Sequence, residues 1–304
     1  MLTRYKIVDG KLVEGEAANG QVQVYVNPDD AEKRRLVDEY KLDEHTLNSA
    51  LDPDELSRME FEPEHMALIF KRPKNYCSQD NFLFRVTSTG VFLFKDRLII
   101  VVPDEVSLFE GKPFTRVSSL ADIMLKLISR SIFHFIEHLK AINMISTELE
   151  ERINTAMENK LLFSLFTLEK SLVYYLNAIN CNSKAIERLR LNTAKLGLSQ
   201  DNVEYLDDLT IENNQCYEQA EIYSNILSSM MDARASIVSN NLNVLMKKLN
   251  ILTISVMVPT LVVSAFSMNV GIPLAGHPLA FWIVLGLAVL SVLGVVFVWW
   301  WKKW

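Results

Sequence analysis

Charge is missing from one end of this 304-residue chain: residues 249–301 contain no Asp, Glu, Lys or Arg. An uncharged tract of that length excludes a protein living wholly in water. Cysteine is scarce. Cys77, Cys181 and Cys216 are odd in number, far apart and without a C-x-x-C pair, which excludes a disulfide scaffold and a cysteine zinc cluster and marks reduced cytosolic thiols. Glycine and proline vanish from the middle, where Gly197 is the single such residue between Phe114 and Val258; a turn-rich β architecture is excluded there and long helices are predicted. A basic excess is also missing. Lys302 and Lys303 lie beyond the uncharged tract, which leaves 29 basic against 37 acidic residues ahead of it. Nucleic acid as a partner requires a positive footprint, so it is excluded, while an acidic surface suits the attraction of cations. Residues 1–11 hold no apolar run of signal-peptide length, so membrane insertion falls to the C-terminal tract.

That tract contains two mostly apolar stretches, residues 249–268 and 279–301, each long enough to cross a hydrocarbon core of ~30 Å as a helix. Lysines flank both. Lys247 and Lys248 precede the first span and Lys302 and Lys303 follow the second, so the positive-inside tendency predicts a multi-pass protein of the cell membrane with both termini cytoplasmic and a short outer connection over 269–278.

The remainder predicts an α+β membrane protein in three parts: a cytoplasmic α/β domain over 1–113, a helical funnel and stalk over 114–248, and a two-span pore domain over 249–304. In the first part β-rich runs at 22–26, 66–71, 82–86, 90–94 and 97–102 interleave with helical pieces at 31–40 and 44–50. Residues 114–196 predict two long antiparallel helices with a break near 154–159, marked by apolar spacing such as Leu120, Met124, Leu127 and Ile128. From 198 to 258 nothing breaks a helix. A continuous helix of that length runs ~90 Å, so the first span is predicted as the outer end of a stalk.

Along that helix Asn243, Met246, Asn250, Thr253, Met257, Thr260, Ser264 and Ser267 recur every three or four residues and share one face. Lipid offers polar groups no partner, so this stripe faces either water or another helix. With two spans per chain, a water-filled path needs several copies around an axis. Amides, hydroxyls and thioethers without charge can hydrogen-bond an ion's water shell without stripping it, which fits a strongly hydrated divalent cation such as magnesium.

His134, Glu137 and His138 match H-x-x-E-H, a zinc-peptidase signature. Three fixed residues in an apolar helix match often by chance, and neither a third ligand nor a Gly-rich phosphate loop nor a G-x-S-x-G elbow accompanies them, so no enzyme is predicted.

At the end of the first span Phe266-Ser267-Met268-Asn269 precedes a short loop, a second span and a basic terminus. This resembles the CorA family of divalent-cation (magnesium and cobalt) transporters, whose signature there is Tyr-Gly-Met-Asn. Asn243-Val244-Leu245-Met246-Lys247 resembles the family's inner pore mouth, and Glu44-His45 through Leu51-Asp52-Pro53 to 66–71 is similar to its N-terminal pattern. The resemblance implies a homopentamer among membrane lipids that passes hydrated magnesium, cobalt or nickel passively into the cell. It implies an ion-selecting ring at Ser267, Met268 and Asn269, and pore positions at Asn243, Met246, Leu249, Met257 and Thr260, where the stripe favours Asn250 over Leu249. It also implies regulatory magnesium on Asp232, Asp208 and, from a neighbouring subunit, Asp52. Two features depart from the pattern: Ser267 replaces the glycine and Phe266 the tyrosine, and the outer loop has no carboxylate. Zinc transporters of the ZntB type vary the same signature, so transport of zinc or another cation, or a CorA-like sensor that does not transport, stands as the alternative.

Overall fold

The structure is a computed structural model that describes the chain except residues 16–19, 78–79, 156–158, 269–270, 272–275 and 303–304, and the side chains of 153–155, 159–160 and 302. Contacts divide it into two units, Met1–Met231 and Asp232–Trp304.

The first unit is built on seven strands, β1 (Leu2–Val8), β2 (Lys11–Glu14), β3 (Val22–Val26), β4 (Arg58–Phe61), β5 (His65–Pro73), β6 (Val86–Phe94) and β7 (Leu98–Val102). They lie in the order β2-β1-β3-β7-β6-β5-β4. Only β3 and β7 pair in parallel; their crossover carries α1 (Asp30–Tyr40) and α2 (Glu44–Leu51) as well as β4 to β6. Asp29 opens α1 with a reciprocal cap, its carboxylate accepting from the Glu32 N–H while Glu32 returns to the Asp29 N–H. Strand alternation sets the layers. Leu98, Ile100 and Val102 join a core with α3 (Leu120–Thr155) and α4 (Asn159–Arg190), whereas Ile99 and Val101 join Leu36, Tyr40 and Leu47 of α1 and α2 on the other face.

Two predicted strands change bounds, since β6 starts only at Val86, the last residue of the first run, and continues through the second. Residues 90–94 belong to β6, which passes through Gly90 unbroken because α2 needs the space there: a Cβ on Gly90 would lie 2.4 Å from the Ala50 Cβ. Residues 82–85, predicted as strand, are a turn and an irregular link. Asn81 and Phe82 take left-handed φ of 49° and 67°, and the Phe84 N–H donates to Ser171 Oγ of α4 at 3.0 Å rather than to a ladder. Asn182 of α4 does the reverse and completes a ladder. Its side chain accepts from the Lys71 N–H at 2.7 Å and donates to the Lys71 carbonyl at 2.8 Å, beyond the end of β4.

After a single turn, α5 (Thr193–Leu196), closed by Gly197 at φ 64°, α6 (Gln200–Phe266) runs 67 residues without interruption across the unit boundary and through Pro259. α3 is described to Thr155 and α4 from Asn159, on either side of the predicted break, whose middle lies outside the described residues. In the second unit α7 (Ala280–Lys302) follows the end of α6, and both helices are long and apolar enough to cross a membrane.

Candidate ion path and cation sites

α6 and α7 meet through an apolar groove of about 500 Å³, lined by Ile251, Ile254 and Val258 from one helix and Ser291, Gly294, Val295, Val298 and Trp299 from the other. Ser291 and Gly294 are small, which admits close approach of a neighbouring backbone. The groove uses the apolar side of α6. The polar stripe lies elsewhere: Asn243, Met246, Leu249, Asn250, Thr253, Met257, Thr260, Ser264, Ser267 and Met268 are all exposed in the single chain. Asn269 lies outside the described residues.

Three of the stripe's four hydroxyls are bonded back to their own helix. Thr253 Oγ1 donates to the Leu249 carbonyl at 2.9 Å, Thr260 Oγ1 to the Val256 carbonyl at 2.6 Å and Ser267 Oγ to the Ser264 carbonyl at 2.9 Å. Each bond spends the hydroxyl's proton on the helix and leaves only oxygen lone pairs facing outward. Waters around a cation point their hydrogens away from it, so a face of acceptors matches a hydrated cation. A face of donors would match a hydrated anion.

Pro259 adds a backbone acceptor nearby. It has no N–H, so the Ser255 carbonyl one turn earlier loses its helical partner, beside a recess lined by Ser255, Val256, Pro259, Thr260, Val263 and Ser264.

The three carboxylates singled out in the sequence lie at separate places. Asp52 caps the end of α2, exposed, with Oδ1 accepting from the Asp54 N–H at 2.8 Å. Directly beneath, the buried Lys71 ammonium donates to the Pro53 carbonyl at 2.6 Å and to Ser88 Oγ at 3.0 Å, and Ser88 Oγ donates to the Asp52 carbonyl. Burial pushes the Lys71 pKa down, against the carboxylates of Asp52, Asp54 and Glu55. The Asp52 turn thus rests on a built-in cation, a residue that alternation within β5 gives no reason to single out. Asp208, on α6, is exposed beside Glu212, whose pKa is raised first by burial and then by Asp208. Asp232 is exposed on α6, and its carbonyl accepts from Ser236 Oγ at 3.1 Å. Among the described residues no group of three or more His, Cys, Asp or Glu is arranged to hold a metal.

The H-x-x-E-H residues serve packing. His134 Nε2 and His138 Nε2 share a hydrogen bond at 3.1 Å, and His138 Nδ1 lies 2.6 Å from the Tyr175 hydroxyl of α4. Burial is the main cause that pushes both rings down, to about 3 for His134 and about 4 for His138, so both are neutral near pH 7. Glu137 faces solvent.

Comparison with known proteins agrees over nearly the whole chain. A family model described as CorA-like Mg2+ transporter protein matches residues 24–303. The cobalt/magnesium transport protein CorA of Methanocaldococcus jannaschii is 24% identical over 310 residues, covering 95% of each chain. Among solved structures, the complete CorA magnesium transporter of the same organism superposes with a TM-score of 0.82 at 20% identity, covering 98% of this chain and 96% of that one. The full-length CmaX protein superposes at 0.71 with 17% identity, covering 98% and 95%. Likeness at these identities establishes the fold.

Proposed function

This chain belongs to the CorA family, and from that membership we propose that it carries divalent cations, magnesium foremost and also cobalt or nickel, passively into the cell through a path lined by α6. The observation that carries this reading is the set of three hydroxyls on the uncharged stripe that are bonded back to the helix. Thr253, Thr260 and Ser267 have spent their protons on the helix and face outward with lone pairs, suited to hold a water shell in place. Because α7 covers a different side of α6, further copies of the chain close the path, and the resemblance makes the assembly a homopentamer. Asn269 supplies a ring of amides at the outer mouth and Asn243 with Met246 the inner one; Leu249 or Asn250 sets the constriction between. An inside-negative potential contributes about 4.6 kcal/mol per 100 mV to the entry of a divalent ion, twice the single-charge value, so no further energy source is needed. Lysines at both flanks put the termini in the cytoplasm. There Asp232, Asp208 and Asp52 bind intracellular magnesium and hold the path shut. The sequence boundaries at 113 and 248 separate the sensing domain, the stalk and the pore.

A second reading has its own observation. Ser267 stands where the family signature has glycine, which supports selection of another cation such as zinc, or a sensor that changes conformation without transport.

Uptake into proteoliposomes loaded with a divalent-sensitive dye decides between them, comparing magnesium, cobalt, nickel and zinc with and without an inside-negative potential. Potential-driven magnesium entry that Asn269→Ala abolishes while the assembly elutes unchanged is the expected result. Flux confined to zinc, or no flux, would establish the second reading, and unchanged flux in Asn269→Ala would remove the ring from the mechanism.

A further inference from the structure

Within the first unit a cavity of about 180 Å³ lies between the face of β5 and β6 and helix α3, under the segment that follows β7. Phe70, Arg72, Thr89, Leu108, Leu127 and Ser131 form its buried interior; Asn75, Ser107, Glu110 and Glu137 stand exposed at its rim, with Arg130 and His134 between. None of these groups belongs to the ion path or to the three carboxylates described above.

The cavity's two arginines differ in how they are satisfied. Arg72 is buried at 4% exposure; Nε donates to Thr89 Oγ1 at 3.2 Å, Nη1 to the Pro73 carbonyl at 3.3 Å, and the guanidinium is ion-paired to Asp104. Arg130 is half-buried and, among the described residues, makes no hydrogen bond or ion pair. Its Nη1 lies beside Gly111, 3.6 Å from where a Cβ would be. A guanidinium keeps five donors and a full charge at any ordinary pH, so a half-buried one without a partner is a standing demand for an acceptor. Other donors converge on the same space. The Thr89 hydroxyl accepts from Arg72 and keeps its own proton free, and the side chains of Asn75 and Ser107 have no hydrogen-bond partner among the described residues.

The charged groups that act on His134 at the cavity wall are guanidiniums. Apart from burial and His138, the groups that hold His134 neutral are Arg130 and Arg72, and no carboxylate acts in the opposite sense. Glu110 and Glu137, exposed at the rim, are screened by water. A cation is disfavoured there, and an anion gains the guanidinium fork in a space poorly reached by solvent. The volume admits a phosphate or a short carboxylate.

We propose that this cavity binds a small oxyanion, held by Arg130 with Asn75, Thr89 and Ser107 and backed by the Arg72–Asp104 pair. The full-length chain, purified in detergent without divalent cations, is titrated calorimetrically with inorganic phosphate and, separately, with sodium acetate; the two arms distinguish a tetrahedral from a planar ligand. Saturable binding of at least one is expected, weakened at least about tenfold in Arg130→Gln and less in Arg130→Lys, which keeps the charge but loses the fork. Asn75→Ala, at the rim, weakens binding independently, while Glu137→Gln leaves it equal or tighter. Arg130 has no partner to lose, so the thermal transition of Arg130→Gln should match that of the unsubstituted protein. Absence of saturable binding in both arms, or equal binding by Arg130→Gln and Asn75→Ala, would overturn the proposal whatever the outcome of the transport assays.

Discussion

At the scale of single residues, chemistry familiar from one context does different work in another. His134 and His138 have the spacing of metal ligands, yet their ring nitrogens are spent on each other and on Tyr175. What spacing hides is burial. Rings held neutral at about 3 and about 4 have folded-state values below the unfolded value of about 6.5. The unfolded chain is then the state that takes up protons first, so the pair's contribution to stability is complete above pH 6.5 and is lost as pH falls toward 4. The loss expected between pH 7 and pH 4.5 is about 2 kcal/mol, after allowance for solvent screening. Thermal unfolding in detergent across that range checks it: His134→Asn should show a visibly flatter dependence than the unsubstituted protein, and equal slopes would remove the histidines from the acid response. Lys71 and Asn182 carry the same lesson. A lysine under the Asp52 turn and an asparagine that completes a strand ladder are both satisfied by groups far away in sequence.

At the scale of elements, sequence signals succeeded where a segment satisfies its own backbone and failed where a neighbour intervenes. Helices α1 and α2 fall within a residue or so of the predicted pieces because Asp29 and Asp43 cap them locally. α6 continues past Pro259, whose missing N–H costs one hydrogen bond within a 67-residue helix. Gly90 read as a strand boundary and is instead the point where α2 presses on β6. Gly90→Ala is therefore expected to cost about 1–3 kcal/mol through overpacking against Ala50. Adding Ala50→Gly should recover much of the loss, since it removes the atom 2.4 Å away. Additive losses in the double variant, read as transition temperatures, would place the cause elsewhere.

At the scale of the whole molecule, one helix belongs to both units, since α6 starts at Gln200 within Met1–Met231 and ends at Phe266 within Asp232–Trp304. Regulation by intracellular magnesium is expected to act through this continuity. Raising internal magnesium to millimolar levels should lower flux about tenfold in the unsubstituted protein and little in Asp232→Ala, a coupling of ordinary allosteric size. Equal inhibition in both would take Asp232 out of the regulatory site. The sequence by itself determined the membrane tract, the two spans, the long unbroken helix and the polar stripe, because each follows from a local pattern of charge, hydropathy or spacing that no distant contact can reverse. Only the tertiary structure decided the seven-strand order, the bounds of β6 and the cavity at Arg130. Those depend on which distant groups reach one another, through parallel pairing of β3 with β7 and packing of α3 on the sheet. A side chain's partners are set by the fold, whereas its tendency to leave water is set by its own chemistry.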